Sequence, residues 1–146
     1  MLTKYSLGYI EFEVPSSWSV READSTLEII DAQARGAFHL SFLKRTRTDA
    51  PEESDARLLV ENFALNNSLA PEGKISSTAN RLEARAIGRF RPSTPTSETP
   101  LHWLLACVVW RDGAVRASYC ADSPNAESLE LVTGIIESIR RKAPGG

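Results

Sequence analysis

Two cysteines and two histidines are all that this chain holds of the residue types that most often act as nucleophile, base or metal ligand. Cys107 and Cys120 lie in the apolar segments His102–Trp110 and Ala114–Ala121, which flank Arg111-Asp112-Gly113. An Asp-Gly pair between two apolar runs signals a tight hairpin. With a two-residue turn at Asp112-Gly113, position 107 faces 118 and 120 faces 105, so the cysteines are same-face diagonal neighbours about 7 Å apart. A disulfide would be strained at that offset, and the expectation is two reduced thiols packed as small hydrophobes. Strand parity puts His102 on the face opposite Cys107, away from where a general base would stand. His39 alternates with Phe38 and Leu40 and reads as an ordinary strand histidine.

The chain has no Cys-x-x-Cys, no His-Glu-x-x-His, no clustered Asp-x-Asp, no Gly-x-Ser-x-Gly and no phosphate-binding glycine loop. The common zinc, hydrolase, dinucleotide and nucleotide-triphosphatase readings fall with them. No catalytic residue, cofactor or metal is therefore expected. What does concentrate is positive charge. In Ala84-Arg85-Ala86-Ile87-Gly88-Arg89-Phe90-Arg91 a period of two sends Arg85, Arg89 and Arg91, with Ile87, to one face, and the small residues with Phe90 to the other. Lys44, Arg45 and Arg47 come near the end of another strand and extend the patch if the two strands are close. Arginine suits a protein interface because its planar fork binds carboxylates bidentately. The strand runs into Pro92–Pro100, a loop with three prolines that returns at His102, and loops of this length carry recognition. Trp110 and Arg111 stand by the hairpin tip, where a partly exposed indole is a natural contact. The candidate partner-binding residues are accordingly Arg85, Arg89, Arg91, Glu98, His102, Trp110 and Arg111.

These residues need a scaffold, and 146 residues with a 42% hydrophobic share suffice for one domain without disulfides or metal. A balance of 17 Lys and Arg against 19 Asp and Glu argues against a nucleic-acid-coating protein, and the arginine strand lacks the aromatic interleaving on which single strands stack. The longest apolar runs, such as Trp103–Trp110, fall short of the roughly 20 residues that cross a bilayer. The start, Met1-Leu2-Thr3-Lys4-Tyr5, has neither the apolar core nor the cleavage site of a secretory signal, and the expected compartment is the cytoplasm. Tyr9–Val14 alternates as a half-buried strand stopped by Pro15, and Thr26–Asp31 with Ala37–Arg45 reads as a hairpin. Glu52, Glu53 and Asp55 open a helix over about 53–68. Lys74–Thr78 is a short strand, Ala84–Arg91 a better one, and the Asp-Gly hairpin, apolar on both faces, belongs in mid-sheet. A last helix starts at an Asp122 or Ser123 cap and runs to about Arg141. Leu129, Val132, Ile135, Ile136 and Ile139 form its buried stripe, and Arg140, Arg141 and Lys142 its cationic end. Residues 1–142 read as one α+β domain in the order β-β-β-α-β-β-β-β-α, followed by a flexible tail at 143–146.

A first strand ending in Val14-Pro15-Ser16-Ser17-Trp18, a strand pair, a helix, a meander ending in Ala117-Ser118-Tyr119-Cys120-Ala121 and an amphipathic last helix together resemble the PsbP-like family over nearly the whole chain. The resemblance implies a single antiparallel sheet sandwiched between helices, the fold of the photosystem II extrinsic protein, a yeast Ran-binding protein and small bacterial effector chaperones or toxin-immunity partners. It also implies protein binding, which is what those members mostly do. The expected function is a non-enzymatic cytoplasmic protein-binding module: an immunity protein or chaperone of a bacterial toxin or secretion system. It would act as a monomer or homodimer on another protein, such as an acidic toxin or effector domain. The alternative is a small enzyme or anionic-ligand-binding domain that uses the Arg85–Arg91 face.

Overall fold

In chain order the elements of the computed structural model are β1 (Leu2–Leu7), β2 (Ile10–Pro15), β3 (Ser19–Ala23), β4 (Thr26–Ile30), β5 (Ala37–Lys44), α1 (Glu53–Asn66) and β6 (Leu69–Pro71). They continue with β7 (Ser76–Ala79), β8 (Ala84–Pro92), β9 (His102–Val109), β10 (Gly113–Ala121), α2 (Ala126–Ser138) and β11 (Arg140–Arg141). Residues 1–31, 33, 36–45, 49–94, 101–122 and 126–142 are described. An eight-stranded sheet has the order β3-β4-β5-β10-β9-β8-β6, with β7 also paired to β8, and a three-stranded sheet has the order β1-β2-β11.

The β9–β10 hairpin lies in mid-sheet, as its two apolar faces require. On one side Leu104, Ala106, Val108, Val115, Ala117 and Tyr119 join Leu27, Ile29, Phe38 and Leu40 in a core closed by Ile10, Phe12 and Val14 of β2 and by Val132, Ile135, Ile136 and Ile139 at and just beyond the end of α2. On the other side Leu105, Cys107 and Val109 join Ala84, Ala86 and Phe90 under Ala56, Val60 and Ala64 of α1. The small residues of β8 and α1 let helix and sheet approach closely.

The expectation of one antiparallel sheet sandwiched between helices, in the order β-β-β-α-β-β-β-β-α, is overturned. Strands hold 51% of the described residues and form two sheets, with only two short helices. The fold is mainly β, and a second sheet covers much of the face expected to lie under a helix. The strands that sequence patterning misses are edges or fragments. Along β1 only Tyr5 and Leu7 are partly covered, and along β3 only Val20. Strands β6 and β11 are three and two residues long. A strand with so little apolar alternation is specified by its partner's free backbone groups and not by its own period. The end of the last helix shows this. Arg140 and Arg141 do not continue α2 but pair with Glu11 and Ile10. Beyond that short pairing Ser138 takes over the edge of β2, its Oγ accepting the Glu13 N–H at 2.9 Å.

The hairpin register also differs from expectation. The two turn residues are Arg111 and Asp112, and the Trp110 N–H donates to the Gly113 carbonyl at 2.8 Å. Cys107 therefore pairs with Arg116 and Cys120 with Trp103. Four residues along one face separate the cysteines by about 13 Å, which no disulfide spans, and both are free. The register is held at Gly113, where a Cβ would come within 2.9 Å of the Tyr9 hydroxyl. Tyr9 in turn donates to the Ala114 carbonyl at 3.0 Å, and the Arg141 guanidinium lies 5.5 Å from its ring centroid.

Two outcomes test this description. Ile136, with 5% of its surface exposed, sits where α2 meets the sheet, and Ile136→Ala should lower the unfolding free energy by about 2–5 kcal/mol in denaturant titrations. The second concerns acid. Arg141 Nε donates to both Asp112 oxygens, at 3.0 and 3.1 Å, and this holds the Asp112 carboxyl below its ordinary value. A depressed folded-state value means that the contribution is complete above the unfolded carboxylate value of about 3.9 and is lost as pH falls through the folded one. Below about pH 4, Asp112→Asn should lose less stability with falling pH than the unsubstituted chain, as read from melting temperatures across that range.

Candidate partner-binding site

Strand β8 divides its side chains as its alternation predicts. Ala84, Ala86, Gly88 and Phe90 are buried towards α1, while Arg85, Ile87, Arg89 and Arg91 point to the opposite face. The arginines nevertheless meet different fates. Arg85 is tucked beneath the end of α2: its guanidinium donates to the carbonyls of Ile136 at 3.2 Å, Glu137 at 3.4 Å and Ile139, and its Nε to Glu83 at 3.0 Å. It satisfies carbonyls that a helix end leaves without partners and places a cation at the negative end of the helix dipole. Glu83 also accepts the indole N–H of Trp110 at 3.2 Å. Trp110 is buried in the larger core with its ring edge-on to Tyr9, so the expected exposed indole is absent. Both residues belong to the scaffold.

Arg89 and Arg91 are exposed, and among the described residues neither guanidinium has a hydrogen bond or ion pair. Arg89 lies opposite Leu104, while the Glu72 N–H donates to the Arg89 carbonyl at 2.8 Å. Because Phe90 pairs with Trp103, the same register sets Arg91 beside His102. His102 Nδ1 stands 3.7 Å from a Glu72 carboxylate oxygen, a pair that attracts when the imidazole is protonated. Arg89, Arg91, His102 and Glu72 thus share one corner of the sheet, where β8 gives way to the 92–100 segment. Glu72 has no counterpart in the sequence reading. It follows Pro71 in a three-residue strand, and only its pairing to β8 brings it here.

The remaining candidates do not converge on this corner. Glu98 and Arg47 lie outside the described residues. Arg111 is at the other end of the hairpin, near Ala84, about 24 Å along the strand from Arg91. Arg45 is held by Asp49 and Asp55 at 3.5 and 3.3 Å. The strand it follows, β5, is separated from β8 by β10 and β9, so the two basic clusters do not merge.

Neither cysteine supplies a reactive thiolate. Burial pushes the Cys107 thiol up to about 12, and partial burial raises that of Cys120. No group of three or more His, Cys, Asp or Glu among the described residues could hold a metal ion, and no helix among them is long and apolar enough to cross a membrane.

No family model matches this chain. No curated protein matches it. Among solved structures it is similar to a protein from Bacteroides thetaiotaomicron VPI-5482, whose crystal structure is at 1.50 Å resolution. The two share 15% identity with a TM-score of 0.57, over 94% of this chain and 47% of the other, so this chain spans about half the length of that protein. At that identity the likeness is one of fold.

The division between scaffold and surface can be measured. Arg85→Met strands helix-end carbonyls and the Glu83 carboxylate, and should lower stability by about 1–3 kcal/mol; Arg89→Met should stay within about 0.5 kcal/mol of wild type. Under native conditions at neutral pH, iodoacetamide should leave Cys107 unmodified in the mass spectrum until denaturant is added.

Proposed function

We propose that this chain is a non-enzymatic protein-binding module and that the corner of Arg89, Arg91 and His102 meets an acidic surface on its partner. The observation that carries this reading is the pair of arginines, two residues apart on a paired strand, exposed and without an ion pair among the described residues. A paired strand fixes the spacing of both guanidinium groups before binding, so little ordering remains to be done when carboxylates arrive. Charge at a rim also speeds encounter and sets orientation. The rival reading, an anionic small ligand held by the Arg85–Arg91 face, loses Arg85 to the end of α2. Within the protein-binding class we favour a cytoplasmic immunity- or chaperone-type role in a bacterial toxin or secretion system. Its support is what remains of the PsbP-like resemblance once the helix-sandwiched sheet is set aside, the turn Val14-Pro15-Ser16-Ser17-Trp18, where the Trp18 N–H donates to the Pro15 carbonyl at 2.9 Å and the indole packs on the core.

The test begins with affinity purification from the native host to obtain the partner. Arg89→Glu and Arg91→Glu should then each raise the dissociation constant by about a hundredfold or more through like-charge repulsion, with melting temperatures unchanged. Reversals that bind as wild type, alongside substitutions on α1 that abolish binding, would refute the assignment.

A further inference from the structure

A groove runs along the outer flank of α2, between that helix and β8. Its narrower part, about 220 Å³, has Ile87 as floor and Thr133, Ile136 and Glu137 as helix wall. It opens into a wider part of about 470 Å³ beside Arg89, Glu130 and Gly134, and the two parts share Thr133 and Glu137. The narrow part lies below the roughly 300–1,000 Å³ of a usual small-molecule site, a range the wider part reaches, and suits one or two side chains. Spacing favours an extended segment. Ile87, Arg89 and Arg91 follow one another at every second position of β8, about 6.8 Å apart, which is also the repeat of alternate side chains in any extended segment lying alongside.

Gly134 adds an independent observation. Glycine in a helix interior is destabilising relative to alanine. Here nothing in the fold requires it, since an added Cβ would meet no atom within 4 Å. A bare helix surface beside the groove lets another backbone come close. The strand wall supplies the attraction for acids: Arg89 and Arg91 make no ion pair among the described residues, and Glu130 and Glu137, which share the wider part with Arg89, confine acidic groups to the strand side.

We infer that this groove docks an extended segment of the protein partner, with an apolar side chain over Ile87 and acidic side chains two and four residues further, over Arg89 and Arg91. The inference rests on the protein-binding reading above and gives the partner a local pattern: apolar-x-acidic-x-acidic, in either chain direction.

A phage-displayed library of random dodecapeptides, selected on the full chain, supplies the probe, and fluorescence polarisation of the enriched peptides measures affinity. The expected consensus has the apolar-x-acidic-x-acidic pattern. Gly134→Leu, which projects into the groove, should weaken those peptides at least tenfold without lowering the melting temperature. Arg89→Glu should do likewise, and Leu58→Ala on α1 should leave them unaffected. Failure to enrich any peptide, a consensus without acidic residues, or affinity for Gly134→Leu within twofold of wild type would overturn the inference. A native partner that is weakened by Arg91→Glu yet binds Gly134→Leu normally removes the groove and leaves the proposed corner intact. Peptides that need the groove, with a native partner indifferent to both arginine reversals, remove the corner instead.

Discussion

Leu104, Ala106 and Val108 leave β9 on one side and Leu105, Cys107 and Val109 on the other, so neither side of that strand tolerates water. A strand of this kind has to be flanked by strands at both edges and covered on both faces. Strands β10 and β5 extend the sheet one way and β8 the other; α1 covers one face, and β2 with α2 covers the opposite face. The small second sheet exists because α2 alone does not cover that face. Its middle strand contributes Ile10, Phe12 and Val14 to the same core as the helix stripe.

The two exposed arginines follow from this layering. Strand β8 is the last long strand on its side, and α2 crosses only part of its face. Arg85 lies under the helix end and is consumed in closing it; Arg89 and Arg91 lie beyond and are left to the surface. One alternating sequence therefore yields a structural cation at one end and exposed cations at the other. The groove arises from the same geometry, because a helix that overhangs a strand leaves an angle between them, floored by the strand's outward residues.

Tyr9, Gly113, Asp112 and Arg141 tie both sheets together at the opposite end of the hairpin. Tyr9 sits between β2 and the turn, its hydroxyl bonded to Ala114, its ring beside Trp110 and Phe42. Arg141 reaches Asp112 across the same junction. With the far end fixed by such contacts and the β8–β9 corner carrying exposed charge, the contacts that hold the fold and the proposed recognition surface occupy different ends of the molecule, which lets surface charge vary there without unfolding the core.

Patterning in the chain determines everything that depends on a period or on a pair of neighbours. The alternation of β2, β5 and β8 decides which side chains are buried, the apolar spacing of α2 picks out Val132, Ile135, Ile136 and Ile139, and residue parity sends Arg85, Arg89 and Arg91 to one face. Such signals are local, because side-chain direction repeats every two residues in a strand and about every 3.6 in a helix. Only the tertiary structure decided which arginine is spent and which is exposed, since that depends on where the last turn of α2 falls, with Ile136 51 residues beyond Arg85. It alone brought Glu72 beside His102, buried Trp110 against Glu83, set the hairpin register that places Gly113 against Tyr9, and recruited edge strands that carry almost no pattern of their own. Each of these is a contact between segments distant along the chain, made by hydrogen-bonding groups and close packing that any of several residues could have offered. Composition and spacing name the candidates, and the fold selects among them.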